Sequence, residues 1–313
     1  MRGFFVFFLL CVVVCSSCFK TKNKVIAAPG QTFMNVPYAI APDWNGIQKP
    51  LTLDVYLPAG AKEGDQYPLM LMIHGGGFNE GDKKDMSSHC SVLADSGYVG
   101  VSMNYRLGWQ RGANPCEGDT LSEYNALYRA IQDANAALRF LISNAGDYHI
   151  DTSRIFIGGG SAGSVIALYT NYLQDDLAKE RFPDSYKKFG SLHSGGNDFS
   201  IKGILNLWGG MGDTALINSY NAVPMISFHG TADLSSPADT GHEFSCAALP
   251  KAYGSTCLSR QLLRYHVPYQ LHLKKGAAHA PAAYKAPFVM PLVIRFFNGI
   301  TNGSYSPSAT LVE

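Results

Sequence analysis

The sequence predicts an α/β domain, a mostly parallel sheet with helices on both faces. Three observations predict it. Short apolar runs alternate with helical stretches along most of the chain, the pattern of strands joined by crossover helices. Leu69, Met70, Leu71, Met72 and Ile73 are all apolar, as a strand covered on both faces must be. Three consecutive glycines separate Ile155-Phe156-Ile157 from a helix-like stretch, the punctuation of a tight strand-to-helix turn.

The elements follow in order. Met1-Arg2 supplies a positive start, and residues 4–14 are apolar apart from Cys11. This run is shorter than the ~20 residues of a membrane span. It reads as the apolar region of a signal peptide covering residues 1–18. Ser16-Ser17-Cys18 resembles the lipobox of bacterial lipoproteins, with Cys15 where that motif carries Leu. The resemblance implies cleavage before Cys18, acylation of that cysteine and anchoring at the cell envelope. An ordinary cleaved signal peptide and free secretion is the alternative. Residues 19–31, with Lys20, Lys22 and Lys24, read as a solvated tether. A single catalytic domain is expected over 32–303, with a tail over 304–313.

Within the domain, Leu51, Leu53, Val55 and Leu57 alternate with Thr52, Asp54 and Tyr56. That period of two marks a strand with one buried face, ended by Pro58-Ala59-Gly60. Further strands are expected at 98–103, 155–157, 204–208, 225–228 and 269–273. Leu127, Ala130, Ile131, Ala134, Ala137, Leu138, Leu141 and Ile142 fall on one helical face. That helix should stop at Asn144-Ala145-Gly146. A second helix begins at Ser161, and a last one spans about 282–297. Parallel sheets of this kind place chemistry at the carboxyl ends of their strands.

Composition narrows the function classes. The 313 residues carry 25 Lys and Arg against 24 Asp and Glu. Such a balance sets up no field for nucleic acid, and no nucleic-acid partner is expected. A chain of ~300 residues buries about three quarters of its unfolded surface, so its core needs no metal or staple. Of the seven cysteines, Cys11 and Cys15 leave with the signal peptide. Cys90, Cys116, Cys246 and Cys257 remain for an oxidising compartment. Loop proximity alone suggests the pairs Cys90–Cys116 and Cys246–Cys257; free buried thiols are the alternative. No HExxH or paired-cysteine pattern points to a metal, and no cofactor is expected.

The glycine turn carries the chemistry. Gly158-Gly159-Gly160-Ser161-Ala162-Gly163 lies between strand and helix. A serine hydroxyl attacks only when a base takes its proton, and it must stand clear of its sheet. A sharp turn does this but crowds the backbone, hence glycines at 159 and 163. A phosphate loop is the competing reading, but no Gly-Lys-Ser/Thr follows. Upstream, the strand at 69–73 runs into His74-Gly75-Gly76-Gly77-Phe78. Consecutive glycines let main-chain N–H groups approach an oxygen that gains charge during acyl transfer. His74 leads that loop and reads as structural.

These motifs, with Asn104-Tyr105-Arg106-Leu107-Gly108 and Asp151-x-x-Arg154-Ile155 between them, resemble the carboxylesterase and esterase/lipase branches of the α/β-hydrolase superfamily. The resemblance spans roughly residues 51–297. It implies the α/β-hydrolase fold and an oxyanion hole from the N–H groups of Gly76, Gly77 and Ala162. It also implies the chain order Ser, acid, His. Asp233 ends a segment that resembles the family's acid loop, and His279 sits in one resembling its base loop. Asp239 and Glu243 compete for the acid and are expected to begin a helix. His229 is expected beneath the acid loop.

The expected activity is hydrolysis of short-chain or carbohydrate-linked esters, acetyl or feruloyl. The candidate insertions, 108–124 and 171–202, are too short for a large lid, so a minimal cap is expected. Phe78, Trp109 and Trp208 are candidate substrate contacts; core packing is the other reading for the two tryptophans. Two other classes stay open. A serine exopeptidase would use the same triad, but needs an extra domain and an acidic amine pocket not visible in the sequence. A binding protein on this fold would have lost Ser, Asp or His. The oligomeric state is not readable.

Overall fold

The computed structural model describes residues 30–196, 199–305 and 308–312. Its strands are β1 (Thr32–Pro42), β2 (Gln48–Tyr56), β3 (Tyr67–Ile73), β4 (Val99–Met103), β5 (Ile150–Gly160), β6 (Ile201–Leu207), β7 (Gly210–Met211), β8 (Met225–Gly230), β9 (Thr240–His242), β10 (Lys251–Gly254), β11 (Tyr269–Lys274) and β12 (Ser308–Val312). The α-helices are α1 (Ser87–Asp95), α2 (Thr120–Ser143), α3 (Ala162–Tyr172), α4 (Asp175–Arg181), α5 (Pro183–Phe189), α6 (Ser255–Arg264) and α7 (Ala286–Thr301). The signal peptide, Cys18 and nearly all of the tether fall outside the described residues. Among the described residues no helix is long and apolar enough to cross a membrane.

Nine strands form one sheet in the order β1-β2-β4-β3-β5-β6-β8-β11-β12. The pairs β1–β2 and β2–β4 are antiparallel, and the rest are parallel. Side chains alternate across this sheet. Leu69, Leu71 and Ile73 of β3 join one core with α2, α3 and α6. Met70 and Met72 join a second core with α1 and α7 on the other face. Every residue of β4 is buried, which explains why the central strands lack alternation in sequence. This is the α/β-hydrolase fold, with minimal insertions.

Several expectations change. Residues 308–312, assigned to a tail, form the ninth strand by pairing their backbone in parallel with β11. A strand of five residues at a sheet edge is too short to announce itself by periodicity. Asp239 does not open a helix; it pairs with Arg260 at 2.9 Å on the surface. The expected disulfides do not form. Cys116 bonds to Cys246, with Cα atoms 5.3 Å apart across 130 residues of sequence, and Cys90 and Cys257 are free. Cys90 is buried on α1, in the core on the other side of the sheet. Cys257 lies on α6 beside Asp239. Neither can reach the partner that loop proximity suggested.

Candidate active site

Ser161 stands at the junction of β5 and α3. Its φ is +55° and its ψ −123°, a conformation that costs about 1–3 kcal/mol and persists only where the surroundings impose it. The surroundings do so here through close backbone approach. A Cβ on Gly159 would lie 2.4 Å from the carbonyl oxygen of Ile73, and one on Gly163 only 2.1 Å from the same atom. No side chain fits either place. Ser161 N–H donates to Leu207 O at 2.9 Å, which ties the turn to β6. Ser164 Oγ, one turn into α3, donates to Gly159 O and so braces the turn from inside.

Two further loops converge on Ser161. His279, between β11 and α7, places Nε2 2.9 Å from Ser161 Oγ. Its Nδ1 lies 2.7 Å from Oδ2 of Asp233, on the loop after β8. A carboxylate accepts only, so Nδ1 carries the proton and Nε2 is left to accept from the serine hydroxyl. Asp233 Oδ1 accepts from the N–H groups of Ser235 and Ser236, each at 2.9 Å. Burial by itself pushes the Asp233 carboxyl up. Hydrogen bonds from His229 and His279, the electrostatic attraction of His279 and the Ser236 amide outweigh it, and the carboxyl is held well below the ordinary range. The acid therefore stays ionised while its side chain is fully buried.

His229 lies in direct contact with this carboxylate rather than simply packing beneath the loop. Its Nε2 donates to Ser236 O at 2.9 Å and approaches Asp233 Oδ2 at 3.4 Å. Its Nδ1 accepts from Ser255 Oγ at 2.7 Å, and Ser255 in turn accepts from Asn206 at 3.1 Å. The buried chain Asn206–Ser255–His229 thus backs Asp233.

The glycine loop after β3 faces Ser161. Gly76 and Gly77 have φ of +105° and +57°, which side-chain-bearing residues rarely adopt. His74 is buried, donates from Nδ1 to Gly75 O at 2.7 Å and stacks on Tyr105, ring centroids 4.3 Å apart. Tyr105 donates to His74 O at 3.1 Å. Its neighbour Arg106 is paired with Asp133 of α2 at 2.7 Å. The Asn-Tyr-Arg-Leu-Gly motif therefore anchors the glycine loop to α2. Gly108 and Trp109 N–H groups donate to Phe78 O at its far end. Among the described residues the N–H groups of Gly76, Gly77 and Ala162 donate to no protein acceptor.

These groups open on a cavity of about 410 Å³, within the range of small-molecule sites. Phe78, Trp109 and Trp208 all line it. Trp109 is both core and wall: it is 2% exposed and packs on Phe244, centroids 5.8 Å apart. Trp208 lies edge-on to His279 at 6.4 Å. Sequence reasoning missed the lining residues Glu123, Arg111 and Phe244 among others, and treated Glu243 only as a rival acid. Glu243 is not in that role: it lines the wall with Glu123, and the carboxylate that meets His279 is Asp233. Burial, and then the charge of Glu243, pushes the Glu123 carboxyl up to about 10. The Cys116–Cys246 bridge joins the two loops of this wall. Among the described residues no cluster of three or more His, Cys, Asp or Glu side chains is arranged for a metal.

Residues 53–221, more than half of the chain, match the BD-FAE family. The chain belongs to that family. Similar proteins bear on the fold and on part of the sequence. The chain is 30% identical over 140 residues to secreted triacylglycerol lipase LIP1 of Gibberella zeae, covering 44% of this chain and 23% of that protein. It is 32% identical over 129 residues to esterase B1 of Culex pipiens, covering 41% and 23%. It thus spans about a quarter of the length of these curated relatives. Among solved structures, esterase 2 of Thermogutta terrifontis superposes with a TM-score of 0.57 at 19% identity, covering 89% of this chain and 96% of that one. A truncated carbohydrate esterase from gut microbiota gives 0.59 at 18%, covering 88% and 98%. At such identities the structural likeness speaks for the fold of this BD-FAE protein.

Proposed function

We propose that this chain is a serine carboxylic-ester hydrolase that works through an acyl-enzyme on Ser161. The hydrogen-bond chain Ser161–His279–Asp233 carries the reading. Ser161 Oγ attacks the ester carbonyl while His279 Nε2 takes its proton. The carbonyl oxygen becomes an oxyanion held by the N–H groups of Gly76, Gly77 and Ala162, which have no protein acceptor of their own. Each such donor is worth roughly 3–4 kcal/mol in acyl transfer. The C–O bond breaks, the alcohol leaves with the proton from His279, and the acyl group stays on Ser161. Water, deprotonated by the same imidazole, attacks the acyl-enzyme and releases the acid. Asp233 holds the tautomer throughout.

The substrates we propose are short-chain or carbohydrate-linked esters, acetyl or feruloyl. The open cavity supports a small acyl group on a bulkier alcohol, and a fold neighbour is itself described as a carbohydrate esterase. Export, with Cys18 as a lipid-bearing N-terminus, belongs to the same proposal. The Cys116–Cys246 bridge supports an oxidising compartment. Ser161→Ala is expected to abolish turnover of p-nitrophenyl acetate with the fold intact by circular dichroism. Retained turnover would refute the assignment. Mass spectrometry of acids released from acetylated and feruloylated xylan tests the substrate class, and release of neither acid would remove it.

One observation favours a second reading. Glu123 and Glu243 line the cavity, and an exopeptidase would use acidic side chains there for a substrate amine. Alanine p-nitroanilide beside p-nitrophenyl acetate separates the two enzymes. A non-catalytic role would require failure of Ser161 to react with a fluorophosphonate.

A further inference from the structure

The turn between β1 and β2 holds an indole out in water. Trp44 is 54% exposed. A single exposed apolar side chain is ordinary, but this one is fixed in place. Asp43 N–H donates to Ile47 O at 2.9 Å, and Gly46 N–H donates to Asp43 O at 3.0 Å. Asp43 Oδ1 accepts from the N–H groups of Asn45 and Ile47, and its Oδ2 pairs with Lys49 at 2.7 Å. The Trp44 side chain starts against the backbone of Gly108: a Cβ on that glycine would lie 2.7 Å from the Trp44 Cβ. Gly108 N–H in turn donates to Phe78 O at the end of the glycine loop. The turn is thus tied to the loop that borders the catalytic cavity. A platform already ordered loses little entropy when a ligand settles on it.

Trp44 lines a second cavity, of about 570 Å³, against about 410 Å³ for the one at Ser161. The two cavities share Trp109 and Arg111 in their linings. An anion would find two of the second cavity's cations already paired, Lys49 with Asp43 and Arg106 with Asp133. A lipid surface or an apolar peptide would bury those charges, and would leave the exposed amide side chains of Asn79 and Gln110 without partners. The lining suits a neutral ligand with an apolar face and a polar rim. A sugar ring has that division, with C–H groups on its face and hydroxyls at its edge. The negative face of an indole attracts polarised C–H groups, and side-chain amides both donate to and accept from hydroxyls.

We propose that this groove, between the β1–β2 turn and residues 104–112, holds unmodified sugar units of a neutral glycan, with Trp44 as the platform on which one ring stacks. An acylated unit of the same chain then lies at Ser161, a placement that rests on the carbohydrate-ester reading above. One chain that engages both cavities raises the local concentration of its ester at the serine. Binding remote from the reacting bond, and equal in ground and transition states, lowers KM and leaves kcat unchanged.

Binding is tested apart from turnover. Unacetylated xylohexaose, cellohexaose and mannohexaose are titrated into wild-type protein by calorimetry. Saturable binding of at least one is expected. Trp44→Ala should weaken it by about fivefold or more, the scale of losing one aromatic anchor, and Trp44→Phe should restore part of it. Alanine keeps the Cβ that meets Gly108, and melting curves verify that each variant is folded. Turnover is then measured on the partly acetylated form of the hexaose that binds and on the monoacetylated methyl glycoside of the same sugar, which is too short to fill both cavities. In Trp44→Ala the KM for the hexaose should rise several-fold relative to that for the glycoside, at unchanged kcat. A structural role for Trp44 would move both KM values together. Failure of all three hexaoses to bind, binding that Trp44→Ala leaves intact, or an unchanged KM ratio would overturn the proposal. So would Trp44-dependent binding to phosphatidylcholine vesicles without binding of any hexaose, which would make the turn a membrane contact. Trp44-dependent binding in a protein that releases no acid from the acetylated hexaose would defeat the carbohydrate-ester reading and leave the groove standing.

Discussion

Nε2 of His229 lies 3.4 Å from Oδ2 of Asp233, and both side chains are fully buried. The same oxygen meets His279 at 2.7 Å. In the proposed mechanism His229 is a positioning residue, which acts on His279 through Asp233. It supplies part of what keeps Asp233 ionised against the cost of burial. His229→Leu removes that support and leaves Ser255 Oγ and Ser236 O without their partner. The expected outcome is a fall of about tenfold in kcat for p-nitrophenyl acetate, the scale of one buried hydrogen bond to a charge, with KM little changed. The acid limb of the pH–rate profile should also move upward. His229→Gln, which restores a donor, should recover part of the loss. A unchanged acid limb in the leucine variant would mean that His229 serves packing alone.

Asp233→Asn addresses the carboxylate itself. An amide in this place presents an N–H or a carbonyl to Nδ1, so the imidazole no longer has one preferred tautomer. A fall in kcat on the order of 10³–10⁴ is expected, as for comparable triads, with fluorophosphonate labelling slowed in proportion. The sign of the stability effect follows from the depressed carboxyl. Its folded value lies below its unfolded value near ~3.9, so its contribution is fully present above that unfolded value and is lost as the pH falls through the folded one. Thermal melts of wild-type and variant should therefore differ most at neutral pH and converge in strong acid.

How much of this was legible in the sequence follows from where the signals are local. Gly159 and Gly163 advertised the turn because a Cβ at either would strike the Ile73 carbonyl. The apolar run of β3 advertised a central strand because both its faces are covered. Edge elements gave no such signal. Along β1 only Tyr38 is buried, so its residues never alternate. The small sheet of β7, β10 and β9 is made of strands of two to four residues. The wall of the cavity was illegible for a different reason. Cys116 and Cys246 are 130 residues apart, and distance along the chain says nothing of distance across the sheet's carboxyl edge. With that pairing unknown, nothing in the sequence placed Glu243 beside Glu123.

The bridge itself makes a prediction. A loop of this length, closed in the unfolded chain, is worth about 4–5 kcal/mol by loop entropy. Cys116→Ser should lower the melting temperature measurably. It should also free the segment carrying Glu243 and Phe244 from the loop carrying Trp109 and Arg111. KM for small esters is then expected to rise while kcat changes less, because Ser161, His279 and Asp233 lie on other loops. Peptide mapping without reductant should recover Cys116 joined to Cys246. Recovery of Cys90 joined to Cys116 would contradict the fold described above.

The glutamate pair should leave a mark on stability that runs opposite to that of Asp233. The Glu123 carboxyl is raised to about 10 by burial and by the neighbouring charge of Glu243, whereas an unfolded glutamic acid titrates near ~4.3. Between those values the unfolded chain has released a proton that the folded chain still holds. Stability must then fall as the pH rises through this window and level off above it. Glu243→Gln removes the neighbouring charge and leaves burial alone to raise the Glu123 carboxyl. The slope between pH 6 and pH 9 should flatten, and the variant should melt higher than wild type at pH 9 while differing less at pH 5. Parallel melting curves across this range would show that the charge of Glu243 does not hold the Glu123 carboxyl up in the folded protein.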